Sequence, residues 1–196
     1  MILRRDALAA AAEWLVAVEG EAAETAGLVA TTGRLLCEPG AANVIPGLVR
    51  CSLDVRHASD DVRLAALKKL LTRAESIAMR RQIEVEHTVE YDQAAVALDP
   101  ALTTLAEEAV SAAGVRPTRM VSGAGHDAMI LARRIPATMI FLRSPGGVSH
   151  HPDEAVTAED VATALRAGLS FLDLFEHHLV RSGPQNLESE SPACKT

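Results

Sequence analysis

A glycine-rich segment in the second half of the sequence contains the first residues that could do chemistry. Residues 122–128 read Ser-Gly-Ala-Gly-His-Asp-Ala. Glycines before a helix expose backbone N–H groups to an anion, and His126 at that place can donate a hydrogen bond to a substrate oxygen. The same residues are typical of a tight turn capped by His126 and Asp127, and spacing alone favours that turn. A nucleophile elbow does not fit because Met120 stands at its first glycine, and no Gly-Lys-Ser/Thr phosphate loop is present.

A histidine-rich loop is the second candidate. Residues 149–154 read Ser-His-His-Pro-Asp-Glu. Neutral imidazole is a common zinc ligand, and a neighbouring carboxylate can fix its tautomer. His150 and His151 do not fill a tetrahedral zinc site by themselves. Spacing therefore leaves a metal-ligand loop and a solvated loop equally open.

The third candidate combines Asn43 with Asp54 and Arg56. An arginine can hold a carboxylate by two parallel hydrogen bonds, and an asparagine can add an amide donor. In the alternative interpretation Asn43 only shapes a turn, and Arg56 pairs with Asp54 or Asp60 on the surface. Taken alone, the cluster favours this alternative. The remaining histidines are predicted to be surface residues: His57, His87, His177 and His178.

Hydrophobic periodicity predicts the elements that must position these residues. The first part of the chain predicts helix, strand, strand, helix and strand, at residues 6–24, 27–37, 48–56, 60–81 and 83–89. This order is the split βαβ, ferredoxin-like plan without its first strand, which would leave a gap in the sheet. After residue 92 helices and strands alternate, as in part of an α/β layer. There the pattern predicts a helix to about residue 113, a short helix to 134, a strand at 138–142 and a last helix at 158–177.

Composition limits the class of protein. A chain of 196 residues that is 48% hydrophobic can bury a sizeable core, which excludes a disordered polypeptide. Three unpatterned cysteines exclude a disulfide scaffold or a zinc knuckle. A net charge of −7 with scattered basic residues, and no long apolar run, argue against nucleic acid or a membrane as partner. No apolar region follows the basic residues at the start, so no secretory signal is predicted and a cytoplasmic location is expected.

Five motifs occur in a characteristic order. They are Asn-Val-Ile-Pro-Gly at 43–47, Asp-Val-Arg-His at 54–57, the glycine-rich segment 122–128, Met-Ile-Phe at 139–141 and Gly-Val-Ser-His-His-Pro-Asp-Glu at 147–154. From the first residue to about residue 174 the chain resembles the allantoate amidohydrolase, N-carbamoyl-L-amino-acid hydrolase and β-ureidopropionase group. These are zinc-dependent amidohydrolases related to two-domain di-zinc aminopeptidases.

The resemblance implies a fold class and a domain division. The fold class is α/β (α+β): a ferredoxin-like lid or dimerisation domain lacking its first strand at 1–92, then the C-terminal part of a di-zinc aminopeptidase-like catalytic domain at 93–180. Residues 181–196 are polar and are predicted to be a disordered tail. The lid domain implies a homodimer.

The resemblance also implies roles for individual residues. His150 matches a metal ligand of a dinuclear site holding zinc, or sometimes manganese or cobalt. Gly125 and His126 match residues that contact the substrate, and His126 is the candidate catalytic residue. Asn43 and Arg56 match lid residues that bind the substrate carboxylate. The implied chemistry is attack by a metal-bridging hydroxide on a ureido or amidino carbon. Arg143 departs from the pattern, because the family usually has proline there.

Most of the implied catalytic machinery has no matching motif in this chain. The family's H-x-D pair, its Glu-Glu general base, its H-I-E-Q-G-P histidine and its lid H-A-G-x-x-P all belong before the first residue. We therefore expect a C-terminal portion of such a hydrolase, inactive by itself, whose small-molecule substrate carries a carboxylate. The alternative is a non-enzymatic dimerisation or interaction module derived from such a hydrolase.

Overall fold

The computed structural model describes residues 4–149 and 151–182, with side chains as far as residue 180. The chain divides after Ala95 into two compact units. No helix in the described ranges is long and apolar enough to cross a membrane.

Two helices form one side of the first unit, α1 (Ala7–Glu24) and α2 (Asp60–Arg81). Asp6 caps α1 because its carboxylate accepts the Ala9 backbone N–H at 3.0 Å. Acidic residues in the first turn of α2 and basic residues in its last turn match the helix dipole. Both helices lie close to their predicted bounds.

A long β-hairpin forms the other side of this unit. It has four short strands, β1 (Val29–Thr31), β2 (Leu35–Glu38), β3 (Leu48–Cys51) and β4 (Asp54–Arg56). β1 pairs antiparallel with β4, and β2 with β3. The prediction of two continuous strands is wrong at one point, because residues 32–34 on one side oppose only residues 52–53 on the other. This one-residue bulge interrupts the ladder, and the Ser52 hydroxyl accepts the Arg34 N–H at 3.0 Å across it.

The two faces of the hairpin differ in exposure. The half-buried side chains are Ala30, Cys37, Val49 and Val55, and the exposed ones opposite them include Glu38, Arg50, Asp54 and Arg56. The inner face lies against a small core of Val18, Leu28, Leu70 and Ile77. Alternation of side chains along a strand therefore places every charged group of the third candidate cluster on the outer face.

The predicted strands at 83–89 and 138–142 are not paired in a sheet with any described residue. A strand is defined by the hydrogen bonds of a neighbour, and periodicity alone cannot supply that neighbour. Val85 and Val89 are accordingly exposed. In the first unit the described residues thus form two small two-stranded ladders along one hairpin, and the third strand predicted there, at 83–89, does not pair with them.

The second unit is mainly helical. It contains α3 (Pro100–Ala112), α4 (Asp127–Leu131), a 3-10 turn (Pro145–Gly147) and α5 (Ala158–Ser182). Asp99 caps α3 by accepting the Leu102 N–H at 2.8 Å. Alanines are buried in α3 and α5, which pack against each other: Ala106, Ala109 and Ala167. The last helix runs five residues past its predicted end, and the rest of the predicted tail lies outside the described residues.

Candidate active site

Arg56 and Asp54 form a charged clamp on the outer face of β4. The guanidinium Nε donates to one carboxylate oxygen of Asp54 at 2.7 Å, and Nη2 donates to the other at 2.6 Å. Both side chains stand on the same face because they are two residues apart on one strand. They are 51% and 48% exposed, so a ligand in solvent can reach them. The surface pairing with Asp54 that the sequence left open is what the structure contains.

The clamp changes the acidity of both groups. The hydrogen bonds from Arg56 lower the pKa of the Asp54 carboxyl, and those to Asp54 raise the pKa of the Arg56 guanidinium. Each charge stabilises the charged form of the other. The guanidinium is therefore ionised and fixed in its plane.

Asn43 lies in the turn between β2 and β3, at the far end of the hairpin from Arg56. The turn is anchored to the start of α1, where the Ala7 N–H donates to the Pro46 carbonyl at 3.1 Å. Eight residues of extended chain between Leu48 and Arg56, at about 3.3 Å each, separate the two ends by about 26 Å. A single carboxylate therefore cannot contact Asn43 and Arg56 of the same chain.

His57 is a residue whose role sequence reasoning missed. Its Nδ1 accepts the Ser59 N–H at 2.9 Å, and its Nε2 lies 3.2 Å from the carbonyl oxygen of Ala26. A Cβ on Gly27 would lie 3.3 Å from the same ring. His57 thus ties the end of β4, next to Arg56, to the loop that follows α1. Its position directly after the arginine was the only signal in the sequence.

The glycine-rich segment brings Ser122 and His126 together. His126 precedes α4 with extended backbone angles and makes no side-chain cap. Its Nε2 lies 2.9 Å from the Ser122 Oγ. That oxygen also contacts the carbonyl oxygen of Ala124 at 2.9 Å and its N–H at 3.2 Å. The Phe141 ring meets the imidazole edge-on, with ring centroids 5.6 Å apart. The segment is therefore a tight turn, and it also holds His126 in one orientation.

Gly125 lies directly before His126 and close to α4. A Cβ at this position would approach the Met129 Cε at 3.3 Å. The absence of a side chain therefore lets the turn pack closely against the first turn of the helix.

The histidine-rich loop is described only in part, because His150 lies outside the described residues. His151 is exposed, and its Nδ1 accepts the Asp153 N–H at 3.2 Å. Arg143, the residue that departs from the family pattern, anchors the start of this loop to α5. It donates to Asp160 through Nε at 2.9 Å.

The part of the chain that the structure describes does not assemble a metal site. No three His, Cys, Asp or Glu side chains within it are placed to share an ion. The adjacent pair Glu107 and Glu108 lies on α3, and Glu107 accepts two hydrogen bonds from Arg119, both at 2.7 Å. A dinuclear site therefore does not fit the described residues.

Comparisons with known proteins identify relatives of this chain. Residues 4–173 match the family described as Peptidase family M20/M25/M40. The chain is 41% identical over 162 residues to an N-carbamoyl-L-amino acid amidohydrolase of Geobacillus stearothermophilus, covering 83% of this chain and 40% of that protein. It is 36% identical over 137 residues to an allantoate amidohydrolase of Bacillus subtilis, covering 70% of this chain and 33% of that protein.

A solved structure agrees with these relatives. The structure of an amidase of the hydantoinase/carbamoylase family from Burkholderia multivorans superposes with a TM-score of 0.82 at 32% identity, covering 87% of this chain and 42% of that one. The chain thus spans about two fifths of the length of proteins it matches. The resemblance inferred from the five ordered motifs is confirmed.

Proposed function

Since the chain belongs to the M20/M25/M40 peptidase family, we propose that it is the substrate-binding portion of a hydrolase of linear C–N bonds. Its substrates are N-carbamoyl-L-amino acids or allantoate, which share a carboxylate beside a ureido group. The observation that carries this proposal is the Arg56–Asp54 clamp, a charged, accessible and oriented guanidinium on the outer face of the hairpin. The names of the relatives support the ureido part of the substrate.

A ligand carboxylate would bind the Arg56 guanidinium beside Asp54 or in its place, because Asp54 accepts from both Nε and Nη2. Arginine binds carboxylates in a planar fork, and the guanidinium remains charged at any working pH. Because Asp54 already fixes the plane of Arg56, a ligand loses less side-chain freedom when it binds. Arg56 supplies the charge, and the strand supplies the orientation.

The distance between Asn43 and Arg56 leads us to propose a substrate site formed by two subunits. If both residues contact one substrate carboxylate, as the family resemblance implies, they come from two copies of the chain. We accordingly assign a homodimer whose interface lies in the first unit, the ferredoxin-like lid of the proposed enzyme. His126 and Gly125 are separately proposed to contact the substrate, as the family resemblance implies.

The proposed enzyme depends on metal, as the resemblance to zinc-dependent amidohydrolases implies. His150 is the candidate ligand that this chain contributes, and zinc, manganese or cobalt is the candidate ion. The described residues offer no further ligand cluster. We therefore propose that this chain binds the substrate without turning it over by itself.

Ligand binding by the full chain tests the carboxylate clamp. Calorimetry with N-carbamoyl-L-alanine is compared with N-carbamoyl-L-alaninamide, which lacks the carboxylate. Arg56→Ala should weaken binding of the acid by about 10–100-fold, the loss of one charged bidentate contact. Arg50→Ala is the matched control, because Arg50 is also an exposed, ion-paired arginine on the outer face of the hairpin.

Three outcomes contradict parts of the proposal. If the Arg56→Ala and Arg50→Ala variants bind N-carbamoyl-L-alanine with equal affinity, Arg56 does not bind the carboxylate. Failure to bind allantoate or any carbamoyl amino acid, together with self-association of the chain, favours the non-enzymatic module. Hydrolysis in the same samples after zinc loading refutes the claim that the chain is inactive alone.

A further inference from the structure

The hydrogen bonds around Ser122 determine which nitrogen of His126 carries its proton. The Ser122 hydroxyl has one proton and can accept two hydrogen bonds. Its Oγ donates to the Ala124 carbonyl at 2.9 Å and accepts the Ala124 N–H at 3.2 Å. One acceptor position remains, and His126 Nε2 lies 2.9 Å away. The imidazole therefore donates through Nε2–H.

We propose that Ser122 is a positioning residue that holds His126 as its Nε2–H tautomer, so that Nδ1 meets the ligand as a hydrogen-bond acceptor. In a neutral imidazole one nitrogen donates and the other accepts. No other described residue forms a hydrogen bond with His126 beyond that of Ser122 to its ring and those of its backbone. This reverses the expectation that His126 donates to a substrate oxygen.

The His126 ring is also restrained by a contact with Phe141. The Phe141 ring contacts the imidazole at an interplanar angle of 68°. An edge-to-face contact of this kind restricts rotation of the imidazole about its bond to the chain. Ser122 thus fixes the proton, and Phe141 helps to fix the plane.

An acceptor nitrogen selects for one part of the proposed substrate, and this step rests on the function proposed above. The terminal NH2 of a ureido group is a hydrogen-bond donor. A methyl group in its place has the same size and cannot donate. His126 is therefore assigned to recognise the ureido nitrogen, which would separate carbamoyl from acyl amino acids.

A serine next to a histidine could instead be a nucleophile with its general base. That arrangement requires the Ser122 hydroxyl to donate to an unprotonated Nε2, with the histidine proton on Nδ1. The two arrangements assign opposite tautomers. The tautomer of His126 therefore distinguishes them without any substrate.

The first test measures the tautomer directly. Nitrogen-15 NMR of the full chain labelled at histidine reports which ring nitrogen is protonated at neutral pH, and His126→Gln assigns the signal. We expect Nε2–H in the unsubstituted chain, a mixture of tautomers in Ser122→Ala, and Nε2–H again in Ser122→Thr, which keeps the hydroxyl. An Nδ1–H signal in the unsubstituted chain, or no change in Ser122→Ala, overturns the proposal.

The second test measures the selectivity. N-carbamoyl-L-alanine and N-acetyl-L-alanine differ only by NH2 against CH3, and one hydrogen bond should favour the former by about two- to tenfold. Ser122→Ala should bring this ratio close to one, whereas Arg56→Ala should weaken both ligands equally. Equal binding of both ligands by the unsubstituted chain overturns the acceptor role. Binding of neither refutes the proposed function and the ligand step, while the tautomer still decides the role of Ser122.

Discussion

Replacing Leu70 by alanine should lower the stability of the first unit more than an alanine substitution at an exposed leucine of the same helix. Leu70 is 2% exposed and lies in α2, facing the core between the helices and the hairpin. Loss of its buried carbons and the cavity left behind cost about 3–5 kcal/mol. For a unit of this size each kcal/mol lowers the melting temperature by about 4–8 °C, so we expect a fall of at least about 12 °C.

Leu64→Ala is the matched control for this prediction. Leu64 is also an interior residue of α2, so the change in helix propensity is the same, but its side chain is 47% exposed. Its replacement should cost less than about 1 kcal/mol. Urea unfolding is followed by the fluorescence of Trp14, the only tryptophan, and by circular dichroism as an independent probe. Trp14 suits this role because its indole N–H donates to the Leu70 carbonyl at 2.9 Å. Equal shifts of the two variants would refute the placement of Leu70 in the core.

Two further predictions concern the hairpin and its ends. Gly27→Ala should destabilise the first unit by about 1–2 kcal/mol in urea unfolding, because Gly27 has φ +78°. Gly33→Ala, which meets no atom within 4 Å at an ordinary φ, should cost nothing, and an equal effect of both variants would contradict this reasoning. The pKa of the Asp54 carboxyl should lie below that of an ordinary aspartate because Arg56 donates to it. The Arg56–Asp54 ion pair therefore makes a small contribution to stability that is fully present above the pKa of Asp54 in the unfolded chain. This contribution is lost as the pH falls through the lower pKa of Asp54 in the folded chain. Carbon-13 NMR titration should show this depression and its disappearance in Arg56→Ala; an unchanged value in that variant would exclude the arginine as the cause.

Features set by local sequence were predictable. The start of α1 follows from Asp6 as its cap, and the start of α2 follows from its acidic first turn. Alternation along β3 and β4 places Arg56 on the face opposite Val49 and Val55, as the two-residue repeat of the predicted strand 48–56 requires. These signals act over a few residues, so one sequence is sufficient to read them.

Features that depend on distant partners were not predictable. The bulge at residues 32–34 depends on register, which is a property of two strands together. The missing pairing at 83–89 depends on a neighbour that periodicity cannot specify. Within the candidate site, the sequence named His126 and Arg56 as candidates, but it could not place Asn43 far from Arg56 or direct His126 Nε2 toward Ser122. Residue types suggest a chemistry for the site, whereas only atomic distances show which groups meet.

The bulge also decides how the hairpin responds to a change in chain length. β3 and β4 keep a strict two-residue repeat from Arg50 to Arg56, and the extra residue is confined to the partner strand. Deleting Gly33 would remove the extra residue, so that residues 32 and 34 would oppose residues 53 and 52 in a regular ladder. Ala30 would stay opposite Val55 on the inner face, and Arg56 would keep its place on the outer face. A change of chain length at residues 32–34 therefore alters the bulge and leaves the face of the clamp unchanged.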